Sequence, residues 1–140
     1  MKSILATGLS LIMTLGLVGC SSSRNDDIQD AENKEKYEIG IVLGEGGAND
    51  QSFNQSSLEG FDKAKEELGV TGSYLESNQQ ADYKPNIENF VDKEVDLIIG
   101  VGYTTAASML EAAELHKDMK FVMIDHNYEE EGKEIPDNIA

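Results

Sequence analysis

The alternation of apolar and polar positions divides the chain into three stretches. Positions 4–19 are nearly all apolar behind the cation Lys2, and positions 21–36 are polar with Ile28 as the one large aliphatic residue. From Tyr37 onward, short apolar runs alternate with segments of helical period. A charged start, an apolar core and a small-residue boundary describe a secretory leader, and the run falls short of the about 20 apolar residues a bilayer crossing needs. The polar stretch has too little apolar surface to offset the entropy of ordering, so it reads as a tether. Folded structure is expected from Tyr37.

Four runs read as strands: Tyr37–Leu43, Gly72–Ser77, Asp96–Val101 and Lys120–Ile124. Three of them are apolar at successive positions, as in parallel strands covered on both faces, while Gly72–Ser77 alternates and suits an edge. The intervening segments have helical spacing. Ser56–Leu68 places Leu58, Phe61, Ala64 and Leu68 on one face with Gly69 as the stop; Lys84–Lys93 carries Pro85 in its opening turn; Thr104–His116 has Thr104 or Thr105 placed to cap it. Strand–helix alternation with short connections predicts an α/β fold, an open parallel sheet with helices on both faces and right-handed crossovers. A further strand is expected to begin within Ile135–Ala140. Ligands of such sheets bind beyond the carboxyl ends of the strands, which directs the search to three loops.

Charge narrows the partners. The formal net charge is −16, and without a basic stripe to displace counterions from phosphates the chain is not expected to bind nucleic acid. An acidic surface is also repelled by anionic lipid heads. The single cysteine forbids a disulfide within the chain. It closes the sequence Leu17-Val18-Gly19-Cys20, which resembles the lipobox of bacterial lipoproteins. That resemblance implies a signal peptide at 1–19, a lipidated Cys20 with a flexible tether at 20–36, and an α/β lobe at 37–140. At about 0.8 kcal/mol per buried methylene, several acyl chains would hold the exported domain on the extracytoplasmic face of the cell membrane.

The first candidate loop runs from Gly44 to Gln55. A dinucleotide-type glycine pattern fails because Asn49 occupies the third glycine position, and no Gly-Lys-Ser/Thr follows. Glu45 and Asp50 place carboxylates where a phosphate would sit, so the loop favours a neutral or cationic ligand. The run Asn49-Asp50-Gln51-Ser52-Phe53-Asn54-Gln55 resembles the signature of the basic-membrane-protein family of substrate-binding lipoproteins, the nucleoside-binding components of ATP-driven importers. The similarity continues through Glu59-Gly60-Phe61, Leu97–Tyr103 and Phe121–Asp125.

The resemblance implies a type I periplasmic-binding-protein-like fold. Of its two lobes only the N-terminal one is expected here, as a fragment or a truncated product. It also implies a nucleoside ligand, of purine type, passed to ABC permease and ATPase subunits. Phe53 matches the aromatic platform that stacks on the base, and Asn49, Asp50 and Asn54 match polar members of the same loop. Read from the residues alone, Phe53 also suits a core anchor of the first helix and Asn54 its cap. The second loop, Gly100–Thr104, contains Gly102, which permits close backbone approach or simply a tight turn; Tyr103 is an aromatic at a family position. In the third, Asp125 ends a buried strand, where it faces a ligand or caps the next turn. With Glu45 and Asp50 it would accept hydrogen bonds from ribose hydroxyls or base amines and reject nucleotides. Glu45 is a methylene longer than the aspartate of many relatives.

Other chemistry has little support. His116 and His126 lack companions at zinc spacing, and no Gly-x-Ser-x-Gly elbow occurs. No metal, cofactor or catalytic residue is expected, and Glu129–Glu131 reads as a solvated charge run. A second function class stays open: a lipid-anchored sensory or surface protein of the same fold that binds a sugar, riboflavin or a peptide. The second lobe of the resembled family supplies the opposing aromatic, the ribose-holding groups and the hinge, so little ligand affinity is expected of this chain alone.

Overall fold

Runs of β-branched and aliphatic residues form four parallel strands, β1 (Glu38–Val42), β2 (Thr71–Leu75), β3 (Leu97–Val101) and β4 (Phe121–Ile124), in the order β2-β1-β3-β4. The computed structural model describes residues 36–128, 132 and 134–140. The predicted leader, Cys20, all of the tether but Lys36, and the acidic run Glu129–Glu131 lie outside the described residues. Ile41 pairs with Tyr74 on one side and Ile99 on the other, and Val101 pairs with Ile124. Ile139 bridges in parallel to Phe121, and the Met123 N–H donates to the Ala140 carbonyl at 2.7 Å, so the last residues extend the sheet beside β4.

Three helices connect the strands: α1 (Phe53–Leu68), α2 (Tyr83–Asp92) and α3 (Ala106–Leu115). Alternation within the strands sends side chains to two cores. Ile39, Ile41 and Leu43 pack with Phe61 of α1 and with Val101, whereas Val42, Ile98 and Phe121 pack with α2 and α3. Helices therefore cover both faces, one on the first and two on the second. Close approach on the second face depends on glycine. A Cβ at Gly40 would lie 2.4 Å from the Phe90 ring, and one at Gly100 would lie 2.7 Å from the Met109 side chain.

All three helix starts differ from the sequence expectation, α2 by the single residue Tyr83. Helix α1 begins at Phe53, three residues before Ser56, because the Asp50 carboxylate organises its first amides. Thr105 stands at the N-cap position of α3, as expected, but its side chain makes no capping hydrogen bond. Tyr103–Thr105 form a separate 3-10 turn in which the Thr105 hydroxyl donates back to the Gly102 carbonyl at 2.9 Å, while the Thr104 hydroxyl bonds the Tyr83 hydroxyl. Gly69, with φ 71°, closes α1 through its N–H to the Lys65 carbonyl, as expected of a left-handed helix stop.

Strand order fixes where a ligand would lie. From β1 the chain crosses to β2 on one side by way of α1, and then returns past β1 to β3 by way of α2. Neighbouring strands β1 and β3 thus send their following helices to opposite faces. Their carboxyl ends splay apart at a topological switch point, the position at which open α/β sheets bind ligands.

Candidate functional site

The loop after β1 is held from beneath by a buried side chain. Asn54, the second residue of α1, is 2 % exposed. Its Oδ1 accepts the Gly44 N–H at 3.1 Å, and its Nδ2 donates to the Gly44 carbonyl at 3.0 Å and the Gly47 carbonyl at 3.1 Å. Both amide hydrogens and one acceptor are thereby used on the loop's own backbone. The structure places Asn54 under the loop as a clamp, not on its surface.

Asp50 completes the same turn. Its Oδ1 accepts the Ser52 N–H at 2.8 Å and the Gln55 N–H at 3.1 Å, and its Oδ2 accepts the Asn54 N–H at 3.2 Å. Desolvation pushes this carboxyl up, but the amides of Gln55, Ser52 and Asn54 outweigh it and hold the group below the usual carboxylate range. Two of the amides that an exposed helix N-terminus would offer to a phosphate, those of Asn54 and Gln55, are therefore already taken by an internal anion. Glu45, one turn earlier, is exposed.

Phe53 opens α1 and is 50 % exposed, and the helix's buried aromatic is instead Phe61 at 5 %. The Phe53 ring forms one wall of an open groove of about 450 Å³ between α1 and the sheet, with Ile41, Gly60, Ile99 and Ile124 among the other walls. Asn49 lies apart from it, in a groove with Gln55, Glu59 and Tyr74 on the β2 side of α1. Helical geometry accounts for the split: residues a few positions apart around a helix start face different directions.

The second and third loops adjoin each other. Gly102 has φ 84° with open space where a side chain would be, and its N–H donates to the Ile124 carbonyl at 2.9 Å. Tyr103 is 71 % exposed. Asp125 follows Ile124 directly, is exposed, and sits in the left-handed region with φ 65°. The structure thus gathers Phe53, Gly102 and Asp125 around the carboxyl ends of β1, β3 and β4. Among the described residues no group of three His, Cys, Asp or Glu side chains is placed to hold a metal. His116 pairs with Glu88 at 3.2 Å and links α3 to α2. A separate open depression of about 550 Å³, between Glu114, Lys117 and Glu134–Asn138, lies at the other end of α3.

One residue escaped the sequence reading. Tyr83, 1 % exposed, bonds the Thr104 hydroxyl at 2.8 Å and accepts the Glu45 N–H at 3.3 Å. Starting the second helix at Lys84 left this tyrosine just outside it. A buried tyrosine usually finds a partner for its hydroxyl, and that was the available signal.

Comparison with known proteins adds to this geometry. Residues 37–140 match a family described as ABC transporter substrate-binding protein, PnrA-like. A CD4+ T-cell-stimulating antigen of Listeria innocua is 36 % identical over 132 residues, covering 89 % of this chain and 37 % of that protein. The ABC transporter nucleoside-binding protein BmpA of Lactococcus lactis is 29 % identical over 130 residues, covering 89 % of this chain and 36 % of its own length. The chain therefore spans little more than a third of these relatives. An ABC transporter solute-binding protein of Aeropyrum pernix shares the fold with a TM-score of 0.65 at 27 % identity, over 73 % of this chain and 27 % of its own.

Proposed function

The chain belongs to the PnrA-like family of ABC transporter substrate-binding proteins, and from that premise we propose that it carries the nucleoside-recognising face of an importer's capture protein. The observation that carries this reading is the half-exposed ring of Phe53 at the rim of an open groove beside the switch point. A base stacked on one aromatic face gains about 1–3 kcal/mol. Asp125 and Glu45 then serve as acceptors for ribose hydroxyls or base amines. Asp50 supports the selectivity in another way, since its carboxylate occupies two of the helix amides that would otherwise attract a phosphate and sets a negative charge beside them. A nucleoside suits the site and its phosphate ester does not. A nucleoside-binding relative is consistent with this choice.

The mechanism is capture and delivery to permease and ATPase subunits, with no bond made or broken in the ligand. Export and a lipid on Cys20 would keep the lobe at the extracytoplasmic membrane face. Stacking from one side only leaves the ligand open to water, so this chain alone should bind more weakly than about 1 μM. Amide-detected NMR titration with adenosine, inosine, AMP, ribose and riboflavin tests the reading. Shifts confined to Glu45, Phe53, Gly102 and Asp125 with the two nucleosides, and weaker ones with AMP, are expected. A response to ribose or riboflavin without the nucleosides would overturn it, as would submicromolar affinity in this chain. The mass of the exported protein's N-terminal peptide tests the lipid on Cys20 separately.

A further inference from the structure

We infer that Tyr83 is a positioning residue whose hydroxyl locks the first and second ligand loops into a single unit; its ligand arm rests on the reading above, its structural arm does not. The ring belongs to the core under α2 and α3, and the hydroxyl reaches both Glu45, 38 residues away in sequence, and Thr104, 21 residues away. A phenol has one proton and two acceptor sites. The Glu45 N–H takes one acceptor site at 3.3 Å, and the 2.8 Å contact to Thr104 Oγ1 is made with either oxygen as donor. The two loops share no other side-chain hydrogen bond among the described residues.

The surrounding contacts show why such a tie matters. Gly44, next to Glu45, lies so close to the second loop that a Cβ there would be 2.8 Å from the Val101 carbonyl and 3.5 Å from Thr104 Oγ1. On its other side Gly44 is gripped by Asn54. A continuous path then runs from the start of α1, where Phe53 sits, through Gly44 and Glu45 to Tyr83 and Thr104, and on to the turn that carries Gly102 and Tyr103. Ring packing alone needs no hydroxyl. The oxygen is placed where the carboxyl ends of β1 and β3 diverge, and there it sets the spacing of the two loops.

Three variants test this: Tyr83→Phe, Thr104→Val and the double replacement, each followed by hydrogen exchange at the Glu45 amide and by adenosine titration. Tyr83→Phe keeps the ring, so its Tm should fall by only a few degrees. In Tyr83→Phe, which removes the acceptor, the Glu45 amide should exchange about tenfold faster, and in both single variants the adenosine Kd should rise about tenfold, the size of one lost hydrogen bond. The double variant should be no worse than the weaker single, because both remove the same tie. Unchanged Glu45 exchange in Tyr83→Phe, a lower Tm without a change in Kd, or additive losses in the double variant would each overturn the inference. If Tyr83→Phe fails to fold, Thr104→Val decides the matter from the other side of the bond. Absence of adenosine binding in the unsubstituted chain would sink the nucleoside reading instead, with the exchange data still deciding the coupling.

Discussion

Under α2 and α3 the strands carry glycine where the helices come nearest, Gly40 below Phe90 and Gly100 below Met109. Under α1 the same strands carry Ile39, Ile41 and Ile99, and a groove of about 450 Å³ stays open above them. One face is fitted closely enough that a single methyl has nowhere to go. The other is apolar but incompletely covered, with a half-exposed phenylalanine at its edge. Interiors are close-packed, so the first arrangement is what stability alone would select. The second leaves apolar surface in water at a cost of about 25 cal/mol per Å². On the reading proposed above, stability and recognition fall on opposite sides of one sheet.

The sharpest challenge to this contrast is Gly40→Ala. Its added carbon meets three atoms of a buried ring at 2.4–2.8 Å, and overpacking of that kind should cost about 3 kcal/mol. Urea unfolding would show it as a lower midpoint at unchanged slope. Phe53→Ala comes next. We expect less than about 1 kcal/mol of lost stability, since the ring is half solvated, against a loss of nucleoside affinity of at least tenfold by titration. A smaller change is expected from Ala64→Leu, which adds bulk to the open groove. It should alter stability by no more than about 0.5 kcal/mol in either direction. A cost equal to that of Gly40→Ala would show that both faces are equally tight and would break the comparison.

The smallest effect is one of pH. Asp50 is held below its ordinary value in the folded protein, so its contribution is fully present above about pH 4, the range of an unfolded carboxylate. It is lost as the pH falls through the depressed folded value. Asp50→Asn should therefore remove part of the acid dependence of the Tm while leaving the neutral-pH circular dichroism unchanged. Identical acid profiles for the two proteins would show that the carboxylate does not organise the start of α1.

Much of the fold was readable because strand and helix periods differ so clearly. The apolar runs at 37–43, 96–101 and 120–124 became β1, β3 and β4, and the weaker 72–77 run became the edge strand β2. Side-chain chemistry at the helix starts was harder to read. Asn49, Asp50, Ser52 and Asn54 are all plausible cap residues by type, and only three-dimensional contact distinguishes the one that caps, Asp50, from the one that clamps, Asn54. Residues adjacent in the signature also part company in space. Asn49 and Phe53 line grooves on different sides of α1 because direction changes rapidly where a loop becomes a helix. For Tyr83 the sequence offered only the general need of a buried hydroxyl for a partner, since the partners themselves are supplied by segments 38 and 21 residues away.

The left-handed backbone at Asp125 has a practical consequence. With φ 65°, this residue occupies a region where glycine is comfortable and an aspartate is tolerated at modest expense. A redesign that scored only backbone ease would replace it with glycine, exchanging a modest local strain for the larger conformational entropy that glycine loses on folding. It would also erase the acceptor proposed for the ribose, so that backbone comfort and ligand selectivity compete at a single α-carbon.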